Sequence, residues 1–288
     1  PMKVGREEDG LTQPVSLMFT LSNVDDTKLL ANGDETYDTT TRNKEFIAKT
    51  FAASYSGMLP ASAPLVRLYR SCRGNECIVN ATHVNYIDGT NLNDIEKAEL
   101  ELREQIPWII NYLRSNVPGF ENCRLARSSM TLGVRESYRI VGEYTLTEED
   151  LREGKRFPDV VVHGADFYFD VHGIRNGGQQ CYEQAKPYDI PYRCLLPQKV
   201  ENLLVVGRCI SGTHLAHSSY RVMNIVMAIG QAGGVAAAAA TAAGVTPREL
   251  PYQTVQEWLT KMGVDLWCDD TVLEYGKVKT APKAYDPK

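Results

Sequence analysis

A chain of 288 residues with 43% hydrophobic and 23% charged content has ample material for one large core or two ordinary ones. Its formal charge of −5 includes no basic excess, which argues against a nucleic-acid partner. The seven cysteines, at positions 72, 77, 123, 181, 194, 209 and 268, form no CxxC pair and no disulfide ladder, so a reducing, cytoplasmic setting is expected.

Residues 15–24, VSLMFTLSNV, alternate well enough for a strand, and 43–54 fit a short amphipathic helix. Runs at 66–68 and 77–79 flank Arg73-Gly74-Asn75 and predict a hairpin. The polar run Asn80, Thr82, Asn85 and Ile87-Asp88-Gly89-Thr90-Asn91 reads first as turn chemistry. A helix is predicted over 93–116, capped by Asn93 or Asp94 and stopped by Pro118-Gly119. Its apolar face would be Ile95, Leu100, Leu102, Ile106, Ile109, Ile110 and Leu113. From 123 to 147 strands surround Gly133-Val134-Arg135-Glu136-Ser137-Tyr138-Arg139, where alternation puts Arg135, Ser137 and Arg139 on one face. Those arginines read either as an ion-paired structural strand or as a place for an anion.

Thr147-Glu148-Glu149-Asp150 has the start of a short helix. Residues 160–162 and 167–171 are β-rich, and the second run leads into Asp170-Val171-His172-Gly173. A histidine at a glycine turn either projects into a cleft or serves structure alone. Residues 177–180 read as a loop tip. Residues 203–206, LLVV, read as a buried parallel strand ending at Gly207.

A helix is then predicted over 220–243, with Ser218 or Ser219 as N-cap and Gly244 as its stop. It carries no Asp or Glu. Arg221 falls in its first turn, the wrong sign for the positive end of a helix dipole unless an anion belongs there. Gly230, Ala232, Gly233, Gly234 and Ala236 leave it thin enough for another backbone or a flat ligand to lie against it. The 26 uncharged residues at 222–247 are long enough to span a bilayer. They are alanine-dominated and hold Asn224 and Gln231, so no membrane span is expected. A last helix within 247–262 and a polar tail complete the chain.

Gly207-Arg208-Cys209-Ile210-Ser211, His217-Ser218-Ser219, Arg221-Val222-Met223 and Gly230-Gln231-Ala232-Gly233 together resemble the C-terminal flavin-binding segment of the FAD-dependent oxidoreductase family, within the glutathione-reductase-like class. The motif running from Gly133 to Tyr144 is similar to a second signature of that family, and Ile190-Pro191-Tyr192-Arg193-Cys194-Leu195-Leu196-Pro197 leads into the first as it does there.

The resemblance implies a mixed α/β fold in three segments. Residues 1–155 would form a β-rich substrate domain, 156–245 the closing strand and helix of a Rossmann-like FAD/NAD(P)-binding domain, and 246–288 a helix and tail. It implies FAD, contacted by Gly207, Arg208, Ser211, His217, Ser218, Ser219, Tyr220, Arg221, Val222 and Gly230. It also implies hydride transfer with a small-molecule substrate, for which His172, Arg135, Arg139 and Arg193 are candidates to orient the substrate or move a proton. Family members commonly carry Arg where this chain has Tyr138, so a role resting on that cation does not transfer.

The sequence contains no G-x-G-x-x-G between a strand and a helix. The pyrophosphate-binding unit is therefore expected from an N-terminal part of a longer enzyme or from another subunit, and this chain alone is expected to hold FAD weakly. Two other readings stand beside this one. One is a non-enzymatic, flavoprotein-like binding module. The other is a metal-dependent hydrolase using His163, His172, His214 and His217, whose spacing matches no standard zinc pattern.

Overall fold

The computed structural model describes residues 1–25, 27–28, 44–173, 179–181 and 183–267. The strands in chain order are β1 (Met2–Val4), β2 (Phe19–Ser22), β3 (Arg67–Arg70), β4 (Cys77–Asn80), β5 (Arg124–Ser128), β6 (Tyr138–Ile140), β7 (Val160–Ala165), β8 (Val171–His172), β9 (Gln179–Cys181) and β10 (Tyr188–Pro191). The helices are α1 (Lys44–Tyr55), α2 (Leu92–Asn116), α3 (Glu148–Glu153), α4 (His214–Tyr220), α5 (Met223–Ala243) and α6 (Tyr252–Lys261). The fold is mixed α/β, as expected.

Two compact units divide the chain. One comprises Val4–Ser137 with Val171–Cys181, the other Pro1–Lys3 with Tyr138–Asp170 and Tyr182–Lys288. The cut falls at 137/138, and the stretch after it bonds forward in sequence. Glu143 N–H donates to Leu196 O at 2.9 Å and Leu146 N–H to Ser211 O at 3.2 Å. The antiparallel pair β8 and β9 belongs with the first unit, where the His172 N–H donates to the Gln13 side chain at 3.2 Å.

In the first unit the sheet is antiparallel in the order β3-β4-β2-β5. The predicted hairpin is there, with Arg70 opposite Cys77 and Asn75 at φ +58°, a left-handed position that Asn tolerates. Val15, Leu17, Phe19 and Leu21 are each at most 1% exposed, the period-two face of the predicted strand. Leu102, Ile106, Ile109 and Leu113 of α2 close the same apolar cluster, each such side chain gaining about 1.5–3 kcal/mol on burial. Leu100 is a correction to the predicted helix face. It lies two residues from both Ala98 and Leu102, about 200° round the helix, and is exposed. The cap is Asn91, whose side chain accepts the Asn93 N–H at 2.9 Å, so α2 starts earlier than predicted.

In the second unit β7 pairs antiparallel with β10, and α5 packs on β7 and α6. A Thr147/Asp150 capping box opens α3. Residues 203–206 do not form the predicted strand. They make one ladder-like bond, Val205 N–H to Leu195 O at 3.0 Å, and among the described residues no strand lies beside them to complete a parallel ladder. Leu203 and Val206 are accordingly about two-fifths exposed, 44% and 40%.

The helix predicted over 220–243 is two helices. Thr213 caps α4 by accepting the Ala216 N–H at 3.2 Å, Arg221 ends it, and α5 restarts after Val222. Ser218 and Ser219 are therefore interior residues of α4 and not caps. Helix α5 is long and apolar enough to cross a membrane by length and composition; in this fold Ile225, Ile229, Ala232, Gly233, Ala236 and Ala240 are buried against its own unit. A Cβ on Gly233 would collide with Val206, so the thinness read from sequence lets a chain segment approach there. The 167–171 run is a strand only from Val171, part of the 177–180 tip is outside the described residues, and so is the tail beyond Trp267.

Candidate functional site

The Gly207–Cys209 turn, α4 and the start of α5 gather the predicted flavin contacts in the second unit. Gly207 sits at φ +74°, conformationally open to glycine, and turns the chain toward Arg208, whose side chain is exposed. Ser211 is fully buried, 3.0 Å from the Thr145 hydroxyl. Inside α4, Ser218 donates to Leu215 O at 2.6 Å; Ser219 donates to Phe167 O at 2.6 Å and meets the Tyr188 hydroxyl at 2.9 Å. Tyr220 is fully buried with its hydroxyl on Ile210 O, 3.2 Å away. These hydroxyls hold the protein to itself.

Arg221 is where the structure departs most from the sequence reading. It is the C-cap of α4, where a cation has the favourable sign for the dipole, and not in the first turn of α5. Its Nη2 lies 2.7 Å from Asp170 Oδ2 and donates to the Asp170 carbonyl at 3.0 Å. The wrong-sign argument therefore does not apply to it.

The start of α5 keeps the other half of that argument. Val222 makes no side-chain cap, no acidic residue lies in the first turn, and Met223 and Asn224 are exposed. Its first N–H groups have no intrahelical acceptor and carry the positive end of a 21-residue dipole. Nearby in sequence, His217 is 1% exposed, and its Nδ1 is buried with no hydrogen-bond partner. Burial, then the charges of Arg139, Arg221, His214 and Arg208, push its pKa well below 6.5, so the ring is neutral. Gly230 is half-buried, with open space where a Cβ would stand.

Of the substrate candidates, Arg139 is 1% exposed and donates from Nε to Gly212 O at 2.9 Å, pinning the loop ahead of α4. Arg193 grips Asp159 at 2.8 and 3.1 Å, a bidentate pair of the kind that fixes geometry. Arg135 and His172 belong to the first unit. Arg135 donates to Pro14 O at 2.6 Å and approaches His83 Nε2 at 3.4 Å, and the His83 and His172 rings lie 5.2 Å apart. His83 had no signal in the sequence beyond being one histidine within the polar run from Asn80 to Asn85. Of the four histidines in the metal reading, His163 is engaged by Asp189 at 2.8 Å, and no group of three or more His, Cys, Asp or Glu positioned for a metal occurs among the described residues.

A family model described as FAD dependent oxidoreductase matches residues 1–259, nearly the whole chain. The chain belongs to that family. No curated protein and no solved structure matches it. Membership brings FAD as the family's cofactor, and the donor set suits a flavin ring: an uncapped, carboxylate-free helix start and a neutral imidazole with an unsatisfied Nδ1. Together these favour an electron-rich, charge-accepting ring edge over a cation.

Proposed function

We propose that this chain supplies the ring-facing and substrate-facing parts of an FAD-dependent oxidoreductase that passes hydride between a small organic molecule and the flavin. The observation that carries this reading is the uncapped, carboxylate-free start of α5 in the same unit as the buried His217 Nδ1. FAD supplies the hydride-accepting ring, which gains negative charge on reduction. With FAD bound, the N–H groups at Met223, Asn224 and Ile225 would hold the ring edge with a fixed dipole needing no rearrangement, His217 would contribute a neutral hydrogen-bonding nitrogen, and Arg208 would add a cation. His172 and Arg135 serve the substrate side, while Arg139 and Arg193 act as positioning residues through Gly212 and Asp159.

The adenosine and pyrophosphate half falls to a βαβ dinucleotide-binding unit, in the same enzyme or in another subunit. Met223, Met227, Gln231, Gly234 and Ala238, spaced along one side of α5 and all exposed, are the face it would cover. Membrane and nucleic acid have no part in this reading, and the free thiols at 72, 77, 123, 194 and 209 suit a cytoplasmic setting.

Titration of the purified chain with FAD and with FMN, followed by flavin fluorescence, tests the reading. Saturable and similar affinities for the two would support a ring-only site. No binding of either would overturn it, and much tighter binding of FAD would remove the separate dinucleotide unit.

A further inference from the structure

In the first unit β5 is an edge strand of the four-stranded sheet, and α2 lies beside it. Leu125 of β5 stands opposite Leu21 of β2 and so shares its face, yet Leu21 is fully buried and Leu125 is 47% exposed. The helix layer stops short of the edge strand. The gap it leaves is a groove of about 450 Å³, walled by Ile106, Pro107 and Ile110 from α2 and by Leu125 from β5. That volume lies within the range of about 300–1,000 Å³ over which small molecules are held.

Two arginines of α2 cross to β5 and close the ends of this groove. Arg103 donates from Nη1 to Ser128 Oγ at 2.8 Å, at the last residue of β5. Arg114 donates from Nε and Nη2 to Cys123 O at 2.9 and 2.6 Å, just ahead of the first. The step from 103 to 114 covers about 16 Å of helix, and the step from 123 to 128 about the same length of extended strand, so the two straps bound a box of fixed length. Its ends differ in charge. Arg103 lies 2.9 Å from a Glu99 carboxylate oxygen. Arg114 meets no carboxylate among the described residues; its Nη1 and the Asn111 amide, three residues earlier on the same face of α2, have no protein partner there.

We propose that this groove binds a medium-chain monocarboxylate, its carboxylate on Arg114 and Asn111 and its hydrocarbon body along Ile110, Pro107 and Leu125. One edge of the Arg114 guanidinium is committed to Cys123 O, and the other presents the paired N–H groups that a carboxylate takes in a charge-assisted, bidentate contact. The hydrocarbon body takes the exposed Leu125 side chain out of water. Arg103, already neutralised by Glu99, offers no matching site for a second anion, and the straps at both ends exclude a continuing polymer. The site stands on the first unit alone and goes beyond the flavin reading, which its test leaves untouched.

The test is calorimetric titration of the purified chain with octanoate, octanamide and butanoate. Octanoate should bind saturably. Octanamide should bind about ten-fold or more weakly for want of the charge, and butanoate about ten-fold or more weakly for want of four methylenes. Arg114→Met keeps an apolar stem and removes the cation, so affinity for octanoate should fall about ten-fold while affinity for octanamide stays within about two-fold, a split that a general loss of packing would not produce. Leu125→Ser leaves Arg114 in place at a half-exposed position of the edge strand, and should weaken both ligands by about five-fold. It carries the test should the Arg114 variant not fold. The proposal is overturned if octanoate does not bind, if octanamide matches it, or if a folded variant at either position binds octanoate as tightly as the parent.

Discussion

Arg221 and Asp170 stand 51 residues apart in sequence and meet at 2.7 Å, with a second bond from the same Nη2 to the Asp170 carbonyl. The pair fastens the end of α4 to the irregular segment that follows β7. Both side chains are only about one-eighth exposed, at 12% and 13%. Removing one partner strands a charge in a poorly solvated place, so Asp170→Asn should cost on the order of 2 kcal/mol, discounted for the residual exposure. Urea unfolding should show a lower midpoint at unchanged slope, and Arg221→Met in the same chain should return part of the loss. An Asp170→Asn midpoint equal to the parent's would mean that the pair holds nothing.

Two glycines of the second unit should respond in opposite directions. Gly234 lies within α5 with open space where a Cβ would stand, so Gly234→Ala should stabilise by about 0.5–1 kcal/mol through helix propensity. A Cβ on Gly212 would come within 2.6 Å of the Tyr220 ring, which is fully buried and hydrogen-bonded to Ile210 O. Gly212→Ala should therefore destabilise by about 1–3 kcal/mol, the usual cost of overpacking. Thermal unfolding of the two variants checks the pair of signs.

Stability should fall on mild acidification. His83 and His217 are buried neutral, with folded pKa values held well below 6.5, chiefly by burial. Between those values and the unfolded 6.5 the unfolded chain binds more protons, so their contribution is complete above 6.5 and is lost as pH drops beneath it. Each group steepens the dependence by up to about 1.4 kcal/mol per pH unit. Substituting His83→Gln should flatten the profile between pH 7 and pH 5, as measured by urea midpoints; an unchanged slope would show that the histidine is not held neutral.

Much of the architecture was legible because local physics decided it. The alternation at Val15, Leu17, Phe19 and Leu21, the Asn75 turn, the Thr147 capping box and the apolar stripe of α2 are all set by nearest neighbours in sequence. Residues 203–206 were misread because a continuous apolar run names a parallel strand only if a neighbour exists to complete the ladder. The 220–243 helix was misread because a break at Arg221-Val222 contains neither Pro nor Gly, the usual markers. The candidate site fared less evenly. The absence of carboxylates along this helix could be read directly, but its true start at Met223, Asp170 as the partner of Arg221, Asp159 as the partner of Arg193 and His83 beside Arg135 depend on contacts across dozens of residues that no spacing encodes.

The central claim is that the open pole of α5 receives a flavin ring, and Asn224→Asp tests it most directly. Asn224 is exposed in the first turn, so a carboxylate there should favour the helix by about 0.3–1 kcal/mol while opposing an electron-rich ligand. The predicted result is a chain that melts slightly higher and binds FAD and FMN several-fold more weakly in the fluorescence titration. A variant that gains the stability and binds flavin as well as the parent would contradict the account.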